Sequence, residues 1–452
     1  MITAPAYQDK RIGVFGLARS GLAAVHSLVA SGAQVFAWDD HAEAREKVRG
    51  FAVDLYAMDF DSLDALVLAP GVPFTHPEPH PLVKKASACN VPVISDIEIF
   101  QAARAALPTH KTVGITGTNG KSTTTALVGH ILAAAGRKVA VGGNIGTGVL
   151  ALDPLPAHGV YVFELSSFQL DLTNSFDSDV AVLLNISPDH LDRHGSMAGY
   201  IAAKSRLIEQ QSNGGTAVIA VDDQASRDVA ANCRSVVLVS SQSDIETGVS
   251  VRDGILIDDI DGQAVTIGSL LGVQSLQGAH NWQNAAAAYG ACRTLGLTPG
   301  EIYSGLCSFP GLEHRQEVVP FRDAIKVIND SKATNIDAAA RALQSFDSIR
   351  WVAGGRAKSD DFDDLGKSVG AVRKAYLMGE AAQAIGQAMP AFLDVAYHST
   401  MVDAVSAAIS DAEQGDTILL SPACTSFDQF TSFEQRGEIF KQTVRQLLGD
   451  AA

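Results

Sequence analysis

No apolar run in the chain reaches the ~18 residues that a bilayer-spanning helix needs, and the start, MITAPAYQDKRIGVFG, lacks the basic-then-apolar design of an export signal. Cysteine is scarce and dispersed. Cys89, Cys233, Cys292, Cys307 and Cys424 form no CxxC pair, which argues against a zinc knuckle or a disulfide framework and suits a reducing compartment. Positive charge is in deficit, with 34 Lys and Arg against 50 Asp and Glu and a formal net charge of -16. No local basic patch offsets it, so the balance argues against a nucleic-acid or anionic-membrane partner while leaving small anionic ligands open. Short repeats and low-complexity tracts are also missing. These absences predict a cytoplasmic protein, expected to be a monomer.

What is present is apolar residue content of 46% and 40 glycines spread over 452 residues, a globular composition long enough for several domains. The chain alternates short apolar runs with helical patterns: RIGVFG, GLAAVHSLVASG, QVFAWDD, DALVLAPGV and VPVISD come first. Periodicity lapses at residues 105–110, restarts with KTVGIT, GVYVFEL, DVAVLLNIS and GTAVIAV, and lapses again at 309–315. Beyond that point IKVIND, IRWVAGG, KAYLMG and DTILLSP alternate with helices. This pattern predicts an α/β protein of three domains, 1–105, 106–311 and 312–452. Residues 236–273 read as a small antiparallel excursion.

The stretch GITGTNGKSTTT (114–125) sits between a strand and a helix. A strict phosphate-binding loop is GxxxxGK[ST], and here Ile115 stands where the first glycine belongs. The physical parts survive. Gly117 and Gly120 let the amides of Thr118 and Asn119 turn toward an anion, Lys121 brings a point charge, and Ser122 and Thr123 open a helix. ATP is the expected ligand, with magnesium on Ser122 and on groups delivered to the same sheet edge by neighbouring strands: Glu164 after GVYVFE and His190 after DVAVLLN. Each of these two reads on its own as an ordinary capping acid or solvated histidine.

The loop, followed by GGNIG (142–146), ELSSFQL (164–170), NISPDHLDRH (185–194) and YIAAKSRL (200–207), resembles the Mur ligase family. The later segments GAHNWQNAAAA (278–288), GLEHRQE (311–317), NDSKATN (329–335) and SPACTSFDQFTSFEQRG (421–437) resemble the members that add D-glutamate. The resemblance implies an N-terminal Rossmann-like domain, a central P-loop ATPase domain and a C-terminal Rossmann-like domain. It also implies ATP-driven amide formation between UDP-N-acetylmuramoyl-L-alanine and D-glutamate through an acyl phosphate.

By the same resemblance Lys121, His190, Lys204 and Lys332 are catalytic, and Glu164, His190 and Lys204, the last as a carbamate, hold a second magnesium. Read without the family, Lys204 is a solvated helix lysine. Asn281 and Asn284, three apart on a helix, read as helix surface, and the resemblance makes them adenine contacts. Arg315 and Asp330 would grip ATP from the third domain. Arg19, Ser20, Asp39, Gly71, Asn144 and Ser166 would meet the UDP substrate. Thr334, Lys358, Ser426, Phe427 and Phe433 would meet the amino acid.

Other readings stay open on the residues. VFGLARSG resembles a dinucleotide fingerprint, although Ala18 replaces its central glycine, so a nicotinamide-binding domain fused to an ATPase is one alternative. A relative adding another amino acid, or an ATPase acting as a switch, are others.

Overall fold

A computed structural model describes residues 1–320, 324–357 and 362–448. Its strands form three sheets. In the first, β1 (Arg11–Phe15), β2 (Gln34–Trp38), β3 (Ala65–Leu68) and β4 (Val93–Ile94) run parallel in the order β2-β1-β3-β4.

The second sheet holds β5 (His110–Thr116), β6 (Val139–Gly143), β7 (Gly159–Glu164), β8 (Val180–Leu183), β9 (Thr216–Ala220), β10 (Val236–Ser240), β11 (Gly248–Arg252), β12 (Ile255–Asp259) and β13 (Val265–Ser269). Their order is β13-β12-β11-β10-β9-β8-β5-β7-β6. Strands β10 and β11 extend the parallel ladder, and only β12 and β13 turn antiparallel. The excursion expected over 236–273 is therefore confined to its second half.

The third sheet is built from β14 (Glu317–Val319), β15 (Lys326–Asn329), β16 (Ile349–Gly354), β17 (Val372–Met378), β18 (Asp394–His398) and β19 (Thr417–Leu420) in the order β14-β15-β19-β16-β17-β18. All its pairs are parallel except β14 with β15.

Residues 1–273 with 279–309 pack as one compact unit, and 274–278 with the chain from 310 onward as another. The first unit carries two sheets because one core serves both. Ile12 and Val14 of β1 belong to the same buried cluster as Phe100, Tyr161, Phe163 and Phe176, and Phe100 meets Phe163 edge-on with ring centroids 4.7 Å apart. A fully buried phenylalanine contributes ~2–3 kcal/mol through apolar area alone. In the second unit the period of two along each strand feeds two cores. Trp351 and Leu419 face one, while Val352, Ile418 and Leu420 face the other. No helix among the described residues is long and apolar enough to cross a membrane.

Strand β5 is central in the topology. From it the chain steps outward to β6, returns to β7, and crosses to β8 on the other side. In open parallel sheets such a switch point leaves a crevice at the carboxyl ends of the strands, where ligands bind. The loop after β5, Glu164 at the end of β7 and residues 184–190 after β8 all open onto that edge.

Candidate functional site

The loop 117–120 is shaped by close approach. Gly117 has φ +150° and Gly120 φ +83°, and a Cβ on Gly120 would collide with the side-chain oxygen of Asn284. Only glycine fits such a backbone without strain. The helix Lys121–Ala134 begins directly behind, with Ser122 buried in its first turn and Thr123 half-buried. Lys121 folds back so that Nζ donates to the carbonyls of Gly117 and Thr118, each at 2.8 Å. Thr118 faces inward: its hydroxyl meets Tyr200 Oη at 3.1 Å and accepts from the Ser187 amide at 3.0 Å. It anchors the loop from beneath.

Lys204 also reaches the loop, donating from Nζ to the Gly117 carbonyl at 2.8 Å while lying 4.6 Å from the Tyr200 ring centroid. It is only 1% exposed, which overturns the solvated-helix reading. Burial first, then the neighbouring Lys121 charge, hold its ammonium well below the usual lysine range, opposed by Asp189. Two lysines thus converge on one carbonyl.

Glu164, at the end of β7 and paired in register with Ile115, is buried. Its Oε1 accepts from Asn144 Nδ2 at 2.9 Å, and its Oε2 has no partner. A buried carboxylate oxygen without a donor is costly unless a ligand completes it. Asn144 belongs to the loop after β6, whose carbonyls at Asn144 and Gly146 accept from Arg19 at 3.2 and 2.6 Å. Arg19, Asn144 and Glu164 therefore form one connected chain.

His190 is half-exposed, with φ +52°, and its Nε2 lies 3.5 Å from Asp189 Oδ2. Burial lowers its pKa against the pull of Asp189, and Lys121 lowers it further, so the neutral imidazole that a metal requires is favoured. Glu164 Oε2, His190 and the Ser122 hydroxyl are fit donors for a hard cation. Lys204 fits only after conversion to an oxygen-bearing carbamate, since an ammonium has no lone pair.

The pattern DHLDRH held two residues that shape the site and that sequence reasoning missed. His194 is buried, its Nε2 3.0 Å from Ser167 Oγ and its ring stacked on Phe168 at 5.5 Å. Burial, followed by the Lys204 charge, pushes its pKa down to about 4. Arg193 donates to the carbonyls of Pro70, Gly71 and Val72 at 3.4, 3.0 and 2.9 Å and covers the Phe168 ring. It fixes the loop that carries Gly71 to the segment that carries His190.

On the first sheet, Gly16 has φ +88° and a Cβ on Gly21 would collide with the Gly16 carbonyl. Ala18 caps the helix Arg19–Ala30, whose first turn includes Ser20. Asp39 directly follows β2. Its Oδ2 accepts the Leu17 amide at 2.6 Å and its Oδ1 the His41 amide at 2.9 Å. Burial works against the charge, yet these two amides hold the carboxyl below the usual range. Both oxygens lock the turn. Ser166 likewise closes a capping box with Gln169 at the start of the helix Ser167–Asp171. Asn281 and Asn284 are buried rather than on the helix surface. Asn284 Nδ2 donates to Asn281 Oδ1 at 3.2 Å, and its Oδ1 accepts from Thr124 at 3.3 Å beside the phosphate loop.

In the second unit Asp330 follows β15. Its Oδ1 accepts the Gln316 amide at 3.2 Å and its Oδ2 the Ser421 hydroxyl at 3.0 Å. Burial raises its pKa to about 7, opposed by those donors and by Arg315. Lys332 Nζ stands 3.9 Å from the Phe433 ring centroid. Thr334 donates its amide to the Lys332 carbonyl at 2.7 Å, Ser426 is buried, and Phe427 is exposed. Lys358 lies outside the described residues.

Arg436, which sequence reasoning missed, is fully buried. It donates to Ser331 Oγ, Ser331 O and Cys424 O at 3.0, 2.8 and 3.1 Å, so it ties the loop 330–334 to the segment 424–426.

Among the described residues one trio of histidine and carboxylate groups clusters within 4.8 Å, namely Glu313, His314 and Glu438. Within it His314 Nδ1 lies 3.0 Å from Asn329 Nδ2 and Nε2 3.7 Å from Glu438 Oε1, and Lys441 bridges Glu438 and Glu317 at 2.7 and 2.9 Å.

Comparison with known proteins places the central and C-terminal segments in a family. The Mur ligase middle domain profile matches residues 115–292, and the Mur ligase glutamate ligase domain profile matches 314–424. The UDP-N-acetylmuramoylalanine--D-glutamate ligase of Caulobacter vibrioides is 47% identical over 99% of this chain and 98% of its own length. The protein of that name from Phenylobacterium zucineum is 48% identical over 99% and 98%. Among solved structures, the MurF ligase of Thermotoga maritima in complex with ADP superposes with a TM-score of 0.62 at 16% identity, covering 100% of this chain and 98% of that one. The UDP-N-acetylmuramate-alanine ligase of the same organism gives 0.60 at 16%, covering 97% and 99%. These two likenesses concern the fold.

Proposed function

Because the chain belongs to the Mur ligase family, and is therefore a ligase of peptidoglycan synthesis, we propose that it adds D-glutamate to UDP-N-acetylmuramoyl-L-alanine at the expense of ATP. The relatives that share 43–48% identity over nearly the whole chain carry that activity in their names. The observation that carries the chemistry is the buried, unpartnered Oε2 of Glu164 at the sheet edge that also bears the phosphate loop and the buried Lys204 amine.

A carboxylate is a poor electrophile, and ATP converts it into one. The terminal phosphoryl group of ATP passes to the alanyl carboxylate, releasing ADP and leaving an acyl phosphate. The amine of D-glutamate attacks the acyl carbon, the tetrahedral intermediate expels phosphate, and the amide forms with loss of a proton. Catalysis then rests on positioning and charge neutralisation. Lys121 swings from the Gly117 and Thr118 carbonyls to the phosphates. Ser122 presents its hydroxyl at the N-terminus of its helix, whose dipole favours an anion.

Glu164, His190 and the carbamate of Lys204 would hold magnesium, which when bound neutralises phosphate charge. Lys204 is suited to carbamylation because its suppressed pKa leaves a neutral amine. That amine adds to carbon dioxide with release of one proton, and the new oxygens replace an ammonium with an anion.

Arg19, Ser20 and the Gly16 turn would meet the diphosphate of the substrate, with Gly71 and Asn144 toward its sugar and alanyl end. Ser166 would approach from its cap. In the second unit Arg315, Asp330 and Lys332 would act on ATP and the intermediate. Thr334, Lys358, Ser426, Phe427 and Phe433 would receive D-glutamate, whose two carboxylates call for fixed donors.

The test is phosphate release by purified protein with Mg-ATP and UDP-N-acetylmuramoyl-L-alanine, comparing D-glutamate, L-glutamate, L-alanine and a diamino acid. Release that depends on D-glutamate alone is expected. Equal release without any amino acid, or dependence on another one, would sink the assignment.

A further inference from the structure

Beneath the phosphate loop runs a line of four polar side chains and backbone groups that the reaction does not use. Asp222, at the end of β9, accepts on Oδ2 from Gln283 Nε2 at 2.7 Å. Gln283, in the helix Ala279–Thr294 and 8% exposed, accepts on Oε1 from Asn185 Nδ2 at 3.0 Å. Asn185, just beyond β8, then grips Asn119 on both sides: its Oδ1 accepts the Asn119 amide at 2.8 Å, and its Nδ2 donates to the Asn119 carbonyl at 3.2 Å. The Asn185 carbonyl also accepts the Thr118 amide at 2.8 Å.

The direction of this line is dictated from one end. A carboxylate can only accept, so Gln283 must present its NH2 to Asp222 and its oxygen to Asn185. Asn185 must then present its NH2 to Gln283 and its oxygen to the Asn119 amide. A carboxamide in that orientation pairs with residue 119 as a neighbouring strand would. Together with the Asn185 carbonyl on the Thr118 amide, it withdraws the amides of Thr118 and Asn119 from the anion cradle. Either amide flipped would set donor against donor at the loop.

We infer that Gln283 is a positioning residue for nucleotide binding: through Asn185 it holds the phosphate loop in its ligand-ready shape, with Asp222 setting the polarity of the line. This rests on the reading of the loop as an ATP site. It joins the helix that bears Asn281 and Asn284 to the loop that receives the phosphates, so both ends of one nucleotide are addressed by a single rigid unit. Preorganisation of this kind strengthens binding by removing an ordering cost.

Calorimetric titration of the full-length protein with Mg-ADP tests it without requiring turnover. Gln283→Met, close in volume and unable to bond either neighbour, is expected to weaken Mg-ADP roughly tenfold, the order for one lost buried hydrogen bond with a partner left unsatisfied. Gln283→Glu alone sets two carboxylates face to face and should bind no better than Gln283→Met. The double variant Asp222→Asn with Gln283→Glu moves the acceptor one place along. The new Asn donates to the new Glu, which still accepts from Asn185, so affinity should rise several-fold above that of Gln283→Glu, short of the parent because the same Asp222 oxygen also accepts the Ser241 amide at 3.1 Å.

Unchanged affinity in Gln283→Met, or a double variant no tighter than Gln283→Glu, would overturn the inference. A general packing defect would not be repaired by a second polar change. A parent protein that binds no Mg-ADP would overturn the ATP-site reading itself, and this inference with it.

Discussion

Replacing Glu164 by Gln separates what that residue does for the fold from what it does for the reaction. Glutamine keeps the volume and the acceptor that takes the Asn144 amide at 2.9 Å, and puts a neutral NH2 where Oε2 stands without a partner. Exchanging a buried unsatisfied ionic oxygen for a neutral group is worth about 1–3 kcal/mol. Losing the charge-assisted character of the Asn144 bond gives back about 1 kcal/mol. The variant is therefore expected to be more stable by about 1 kcal/mol, which raises the melting temperature by roughly 1–2 °C for a unit of about 300 residues. Removing the proposed magnesium ligand would sacrifice several kcal/mol of charge stabilisation. At 1.36 kcal/mol per decade that is a fall of at least ~100-fold in kcat. Scanning calorimetry without nucleotide and phosphate release with all substrates read the two effects. Stability and activity should move in opposite directions. A variant that melts lower than the parent while keeping more than half its rate would refute the assignment of Oε2 to a ligand.

Much of the site was legible because it is local. The glycines, Lys121 and Ser122 lie within six residues between a strand and a helix, and strand-end residues such as Glu164 are announced by the apolar run before them. What stayed hidden depends on direction and burial. Asn281 and Asn284 looked like helix surface because the helix Ala279–Thr294 is buried over nearly its whole circumference, so no amphipathic period marks its inner face. Lys204 looked solvated because a lone lysine among alanines carries no sign of the wall that covers it. Asp39 was correctly placed after β2, but sequence does not say that its two oxygens turn back onto Leu17 and His41. Arg193 and Arg436 each bond backbone carbonyls far along the chain, and carbonyls leave no trace in side-chain identity. In the fold, the short strands β6, β14 and β18 were not anticipated. Three-residue β14 pairs antiparallel at the sheet edge, below the length at which alternation can be read.

Two further perturbations follow from the buried basic groups. Lys204→Ala should lower kcat by at least ~100-fold through loss of a metal-ligand precursor, and short carboxylic acids such as formate should restore part of the rate by supplying the missing oxygens. Full activity in this variant would remove the carbamate from the mechanism. His194 makes the protein sensitive to acid. Its pKa of about 4 in the folded state lies below the ~6.5 of an exposed histidine, so between those values the unfolded chain binds a proton that the native chain does not. Stability from this group is therefore complete above pH ~6.5 and drains away as pH falls toward 4, by at most about 3 kcal/mol. Urea unfolding at pH 7 and pH 4.5 should show a smaller acid loss in His194→Gln than in the parent. Equal losses would mean that the stacked imidazole bears no share of the acid response, and that the carboxylates alone set it.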